Sequence, residues 1–400
     1  MTSSAHHLDV AAAEAYLMRY LAIDGVTGQE AAIAAAIVDD LKAIGVPASA
    51  IKYDTVHERI PVPTQTGNLI VTLPGTKPGP RVMFSAHLDT VPLCAGAKPR
   101  REGDRIVADG TTALGGDNRT GCAMMVVLVE TLMKKNLPHP PMTLLFTVRE
   151  ESGLHGAREL IASDLGGPVM CFNIDGRLAS ELIIGAVGQE NWEVEITGKA
   201  SHAGVAPDKG ISATLVGAIG LAEANAAGWF GKIVKSDGNG TSNVGIFGGK
   251  NNTSAGDATN VVTDYAYLRG EARSPTSAFA AQITEGYKAA FAKAQAQVKD
   301  TEGETAKVNF THKPAYPPFN LAEDSPVVKL ATKAVKTIGL EPVSIFSNGG
   351  LDANWLDKHG VPTVTIGSGM FEIHTIKEYV DVPEYILGCK LAVVLATQDS

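Results

Sequence analysis

The sequence predicts an α/β domain built on a mainly parallel central sheet flanked by helices, with a smaller α+β domain inserted into it. Three observations carry that expectation. Short strands of almost unbroken apolar character alternate with helices up to about residue 190. The rhythm then changes to period-two alternation, and the first style returns after the Pro-rich KPAYPPF at 313–319. Nearly continuous apolar strands belong in sheets covered on both faces, whereas period-two strands have one wet face. The expected domains are 1–188 and 317–400 together, with 189–316 inserted.

The elements follow in order. Asp9 can cap a helix running to about Ile23. Thr27 and Glu30 have capping-box spacing ahead of AAIAAAIVDDLKAI, which Gly45 ends. NLIVTLPG (68–75), RVMFSAHLD (81–89), MTLLFTV (142–148) and VMCFNID (169–175) read as strands, and CAMMVVLVETLMKK (122–135) as a helix opened by GGDNRTG. NWEVEITGK (191–199), a helix over 212–227, SNVGIFGG, VVTDYAYLRGEAR (261–273), a long helix over 276–298 and KVNFTHKP give the order βαββαβ. Ser325 and Pro326 start a helix that Gly339 stops. VPTVTIG (361–367) is a buried strand and EYILGCKLAVVLAT a closing helix.

Composition removes several functions. Acids exceed bases, 43 to 34, and even the basic stretch Lys98–Arg105 is broken by Glu102 and Asp104, so nucleic acid has no basic face to bind. No apolar run approaches the ~18–20 residues of a membrane span. The opening MTSSAHHLDV does not read as a signal peptide, and His6 and His7 are too few for a purification tag. Cys94, Cys122, Cys171 and Cys389 form no C-x-x-C pair and read as reduced, buried thiols of a cytoplasmic protein. G-x-S-x-G, H-E-x-x-H and a complete phosphate loop are absent from the sequence.

What is present is a set of acids and imidazoles at strand ends, where open parallel sheets bind ligands. RVMFSA runs into His87 and Asp89, MTLLFTV into Glu150 and Glu151, and VMCFNI into Asp175. His374 follows VPTVTIG by seven residues, and Asp117 opens the helix after the second strand. Each alone has a bland reading: a bonded histidine, a solvated pair of glutamates, a helix cap. Together they would repel one another unless cations neutralise them. A pair of divalent metals fits, with one shared carboxylate bridging ions about 3.5–4 Å apart. Asp89, two residues along a strand from His87, can orient the imidazole. One of the adjacent Glu150 and Glu151 should ligate, and the other should take a proton from a metal-bound water. The implied chemistry is metal-assisted amide hydrolysis.

HLDTVP (87–92), GGDNRTG (115–121), REESGLHGA (149–157), NIDG (173–176) and EIHT (372–375) resemble the co-catalytic dizinc aminoacylase/carboxypeptidase-G-type metallopeptidases. DGTTALGGDNRTG, GKASHAGVAPDKGISA and TNVVTDYAYLRGEARS point to the peptidase T-like tripeptide aminopeptidases among them. The resemblance implies the dizinc exopeptidase fold with a lid or dimerisation insert. It implies His87 and Asp175 on one metal, Glu151 and His374 on the other, Asp117 bridging, Glu150 as general base and Asp89 supporting His87. His202, Asn260 and Arg273 resemble substrate-holding residues, with Arg273 able to fork a peptide carboxylate. A homodimer through the insert is likewise implied. Because His202 and Arg273 fall on the insert and the expected metal ligands do not, the two domains are expected to close on a short peptide. Zinc is the expected ion; cobalt and manganese suit the same ligands.

Asn118 and Arg119 stand where relatives usually carry Asp and Lys, and Leu351 where they carry Ser, in a stretch expected to line the pocket around Asp352 and Asn354. Neither departure is expected to touch a ligand; both bear on specificity. The leading expectation is release of the amino-terminal residue from tripeptides. The alternatives are a carboxypeptidase or N-acyl-amino-acid deacylase of the same chemistry, and a non-catalytic peptide-binding protein.

Overall fold

The computed structural model describes residues 8–398; His6, His7 and most of the stretch read for a leader lie outside the described residues. The chain forms two compact units, one of residues up to Ala186 together with those from Phe319, the other Val187–Pro318.

The first unit is α/β with a mainly parallel central sheet. Its middle runs Met142–Thr147, Val82–His87, Met170–Gly176 and Thr363–Gly367, all parallel neighbours. Antiparallel strands extend it on both sides, Leu69–Leu73 beside Met142–Thr147 and Glu181–Ala186 beside Thr363–Gly367. Burial on both faces explains the unbroken apolar strands. Phe84, Leu144 and Phe172 point into the core shared with the helix Gly116–Lys135, whereas Met83, Leu145 and Cys171 point into a second core on the opposite face. No helix among the described residues is long and apolar enough to cross a membrane.

Local signals act as expected at several ends. The Asp9 carboxylate accepts the Ala12 N–H at 3.0 Å and opens the helix Val10–Leu21. Gly45, at φ 109°, closes Ala31–Ile44 in the left-handed conformation that glycine adopts at no steric cost. The capping box is a correction. Thr27 bonds Ser152, and Glu30 turns away to the N–H groups of Gly28 and Arg149. Its side chain supports a distant loop instead of its own helix.

A small four-stranded sheet, absent from the expectation, holds Met370–Phe371, Tyr379–Asp381, Arg105–Val107 and Arg100–Glu102 in that order. Its first two strands form a hairpin, with Phe371 opposite Tyr379, whose loop bears His374.

In the second unit the antiparallel order is Gly231–Lys235, Gly238–Gly248, Tyr265–Ser274, Gly188–Thr197 and Lys307–Tyr316. The strand Gly231–Lys235 is additional to the expected βαββαβ pattern; it is a hairpin arm joined to the next strand at Lys235↔Gly238. Helices Ala213–Ala226 and Ser277–Gln297 supply Val216, Phe279, Ile283, Tyr287 and Phe291 to a core around Trp192. The strand under that core alternates buried and half-buried residues from Gly188 to Ile196, the period-two pattern made physical.

Candidate metal centre

Five side chains from five separate segments meet at the carboxyl ends of the parallel strands, all within the first unit. His87 ends its strand, Asp175 lies near the end of the next, and Glu151 follows Met142–Thr147. Asp117 lies in the first turn after the left-handed Gly115, where the backbone departs from helical angles before the helix runs on. His374 arrives on the hairpin loop and sits at φ 62°, in the left-handed region that side-chain-bearing residues enter uncommonly.

Asp117 is the centre of the arrangement. Its Oδ1 lies 2.9 Å from His87 Nε2 and its Oδ2 lies 3.3 Å from His374 Nε2. Each imidazole has a second acid at hand: Asp175 Oδ1 is 3.7 Å from His87 Nε2, and Glu151 Oε1 is 3.0 Å from His374 Nε2. His87, Asp117 and Glu151 each offer a ligand atom within 4.8 Å of one another. The set is two halves, each one imidazole and one terminal carboxylate, joined by a carboxylate with one oxygen for each half. That donor chemistry fits two divalent cations of the zinc, cobalt or manganese type.

The electrostatics agree. Burial pushes the Glu151 carboxyl up to about 7 and the Asp175 carboxyl to about 6, with Asp117's charge adding to both. Glu150, also buried, is raised well above the usual carboxylate range. Burial works against the His87 charge, yet hydrogen bonds with Asp117, Asp175 and Asp89 hold its imidazole well above the ordinary value. The hydrogen bonds with Asp117 and Glu151 lift His374 to about 10. Asp117 is buried, and its bonds to His374 and His87 still keep its carboxyl below the usual range. Protons on the two imidazoles thus stand in for cations among crowded acids.

Supporting contacts refine the sequence reading. His87 Nδ1 donates to the main-chain carbonyl of Asp89 at 2.9 Å, which leaves Nε2 to face Asp117. The Asp89 carboxylate, 3.4 Å from Nδ1, accepts the backbone N–H groups of Glu150 and Glu151 instead. Asn118 does touch an expected ligand: its Nδ2 lies 3.3 Å from Asp175 Oδ1 while its Oδ1 accepts the Gly121 N–H. Arg119 is buried and donates to the carbonyls of Leu88, Ile23 and Gly25. Leu351 joins a small core with Phe319 and Ala353.

Asp352 is 1% exposed, bonds the Thr147 hydroxyl, and burial pushes its carboxyl up to about 7. Asn354 accepts the Leu351 N–H and is fully buried. Both side chains lie beneath the surface of the first unit.

The remaining expected residues belong to the second unit. His202 is exposed, its Nδ1 accepting the N–H groups of Gly204 and Val205. It pairs with Val261 beside Asn260, whose carbonyl accepts the Ala203 N–H. Arg273 forks onto both oxygens of Glu271, at 2.8 and 3.0 Å.

Two acids support the centre in roles that the sequence reading did not give them. Glu30 accepts the Arg149 N–H directly before Glu150, and Glu378 accepts N–H groups at Leu114, Gly115 and Asp117. These contacts reach more than a hundred residues along the chain, so no local pattern marks them.

Known proteins resemble the chain over most of its length. The uncharacterized protein YqjE of Bacillus subtilis is 34% identical over 333 residues, covering 82% of this chain and 84% of its own. The solved aminopeptidase PepT of Bacillus cereus superposes with a TM-score of 0.84 at 32% identity, over 98% of this chain and 99% of that one. A solved tripeptidase of Staphylococcus aureus gives 0.86 at 28% identity, over 98% of each. The description of peptidase family M20/M25/M40 matches residues 83–398, and the chain belongs to that family.

Proposed function

We propose that the protein is a two-metal exopeptidase that releases the amino-terminal residue from short peptides, tripeptides above all. The observation that carries this reading is Asp117, with one oxygen toward each of two imidazoles. The likeness to an aminopeptidase and a tripeptidase over nearly the whole chain supports the substrate class.

In this reading His87 and Asp175 hold one cation, Glu151 and His374 the other, and Asp117 both. Cations bound there would polarise the scissile carbonyl and acidify water, with zinc the expected ion. Glu150 is the general base: it accepts a proton from the attacking water and returns it to the departing amine nitrogen. Burial raises its proton affinity, the direction this task requires. Asp89 fixes where that carboxylate stands by holding its backbone. Asp352 and Asn354 shape the floor around Thr147 from below. His202 and Asn260 would bind the peptide carbonyl, and Arg273 its terminal carboxylate once exchanged from Glu271. A cytoplasmic homodimer through the second unit completes the reading, supported by exposed Val205, Val234 and Phe247 on that unit and by four buried free thiols.

The test is an assay of zinc-loaded protein on Leu-Gly-Gly beside N-acetyl-leucine and a blocked dipeptide. Leucine release from Leu-Gly-Gly, abolished by chelation and restored by zinc, is the expected result. Turnover of the blocked substrates alone would overturn it in favour of a deacylase or carboxypeptidase.

A further inference from the structure

The hairpin that carries His374 also carries a buried acid to which the proposed chemistry gives no task. Glu378 stands at the base of the His374 loop, is 2% exposed, and uses both carboxylate oxygens on the backbone around Asp117. Its Oε2 accepts the N–H groups of Leu114 and Gly115, each at 2.8 Å, and its Oε1 accepts the N–H of Asp117 at 3.1 Å. Converging backbone N–H groups near a left-handed residue, here Gly115 at φ 82°, form a concave anion site. In this protein the chain supplies the anion itself.

The fit is close. A Cβ placed on Gly116 would meet Val380 Cγ2 at 2.9 Å and Glu378 Oε1 at 3.3 Å, so the acid lies directly over bare backbone. One hairpin therefore grips Asp117 twice. His374 Nε2 faces its side chain at 3.3 Å, and Glu378 Oε1 takes its main-chain N–H at 3.1 Å. Strand Tyr379–Asp381, next in the chain, is pinned between Met370–Phe371 and Arg105–Val107, so the grip has a rigid base.

We infer that Glu378 is a positioning residue of the metal centre, clamping the Asp117 peptide so that its carboxylate divides correctly between His87 and His374. The inference rests on the two-metal reading above. Its specific consequence concerns the cation between Glu151 and His374, because His374 and Glu378 share one loop. Groups that orient ligands in this way typically change metal affinity by about 10–100-fold when replaced. Glutamine is a demanding substitute: it keeps one acceptor and turns an NH2 group toward donors.

The experiment titrates metal-free wild type, Glu378→Gln and Glu378→Asp with Co2+ by calorimetry and visible absorption, alongside thermal melts with and without metal. Wild type should bind two ions per chain. Glu378→Gln should bind one with near wild-type affinity and the other at least about tenfold more weakly, with an altered cobalt spectrum. Glu378→Asp, which keeps the charge but withdraws it by one methylene, should weaken the same ion and carries the test should the glutamine variant not fold. Variants that lose melting temperature equally with and without metal, with wild-type isotherms and spectra, would overturn the inference and leave the two-metal reading standing. A wild type that holds fewer than two ions would overturn that reading, and the inference with it.

Discussion

The Asp89 carboxylate accepts the backbone N–H of Glu150 at 3.0 Å. Its other oxygen accepts that of Glu151 at 3.1 Å, and its carbonyl takes the Nδ1 proton of His87 at 2.9 Å. One residue thus sets a proposed ligand at the end of one strand and the two glutamates in the loop after another. In Asp89→Asn the amide must turn an NH2 group toward one of the two N–H donors, displacing the glutamate loop. Turnover should fall by about 10²-fold, the scale of a misplacement near 1 Å. Steady-state kinetics with parallel metal analysis checks this; wild-type kcat in a fully loaded variant contradicts it.

Glu150→Gln removes the base and keeps the shape. Metal content should stay at the wild-type level while kcat drops by about 10²–10⁴-fold. A loss of metal in place of turnover would reassign Glu150 as a ligand.

The positions that the sequence disclosed are those where local grammar and chemistry coincide. His87, Glu151 and Asp175 come directly off apolar strands, so knowing the strand ends places them on one rim. His374 and Asp117 joined that set through the strand and helix beside them, but a loop histidine and an aspartate at a helix start have ordinary alternatives, so their division between two metals came only from the resemblance. Glu30 shows the limit. Its spacing from Thr27 spells a cap, but tertiary structure recruits it to Arg149. Glu378 and the Asn118–Asp175 contact depend on chain segments brought together only by the fold. The hairpin arm Gly231–Lys235 is half polar and short, so its pattern carries little signal.

Glu30 should make the metal-free protein sensitive to pH. It is fully buried, its Oε2 has no hydrogen-bond partner, and burial, with Asp89's charge next, pushes its carboxyl from 4.5 up to about 7. The folded state holds that proton more tightly than the unfolded chain. The contribution to stability is therefore fully present below about pH 4.5 and is lost as pH rises through about 7. The loss is on the order of 3 kcal/mol. Denaturant unfolding of wild type and Glu30→Gln across this range should show the variant gaining on wild type as pH rises; parallel curves would refute the assignment.

Metal binding should expel protons. His374 is raised to about 10 by Asp117 and Glu151, so at neutral pH it holds a proton that a cation must displace. His87 is raised likewise. About one proton from each imidazole should leave, and affinity should climb with pH toward 10. Calorimetry in two buffers of different ionisation enthalpy reads this directly; identical apparent enthalpies would contradict it.

The most direct test of the whole account is the metal-to-chain ratio of zinc-reloaded protein freed of excess ion, measured by elemental analysis for wild type beside Asp117→Ala. The account predicts two ions per wild-type chain and loss of tight binding at both positions in the variant, since Asp117 faces both imidazoles. A wild-type ratio of one or less, or a ratio unchanged by Asp117→Ala, would contradict it.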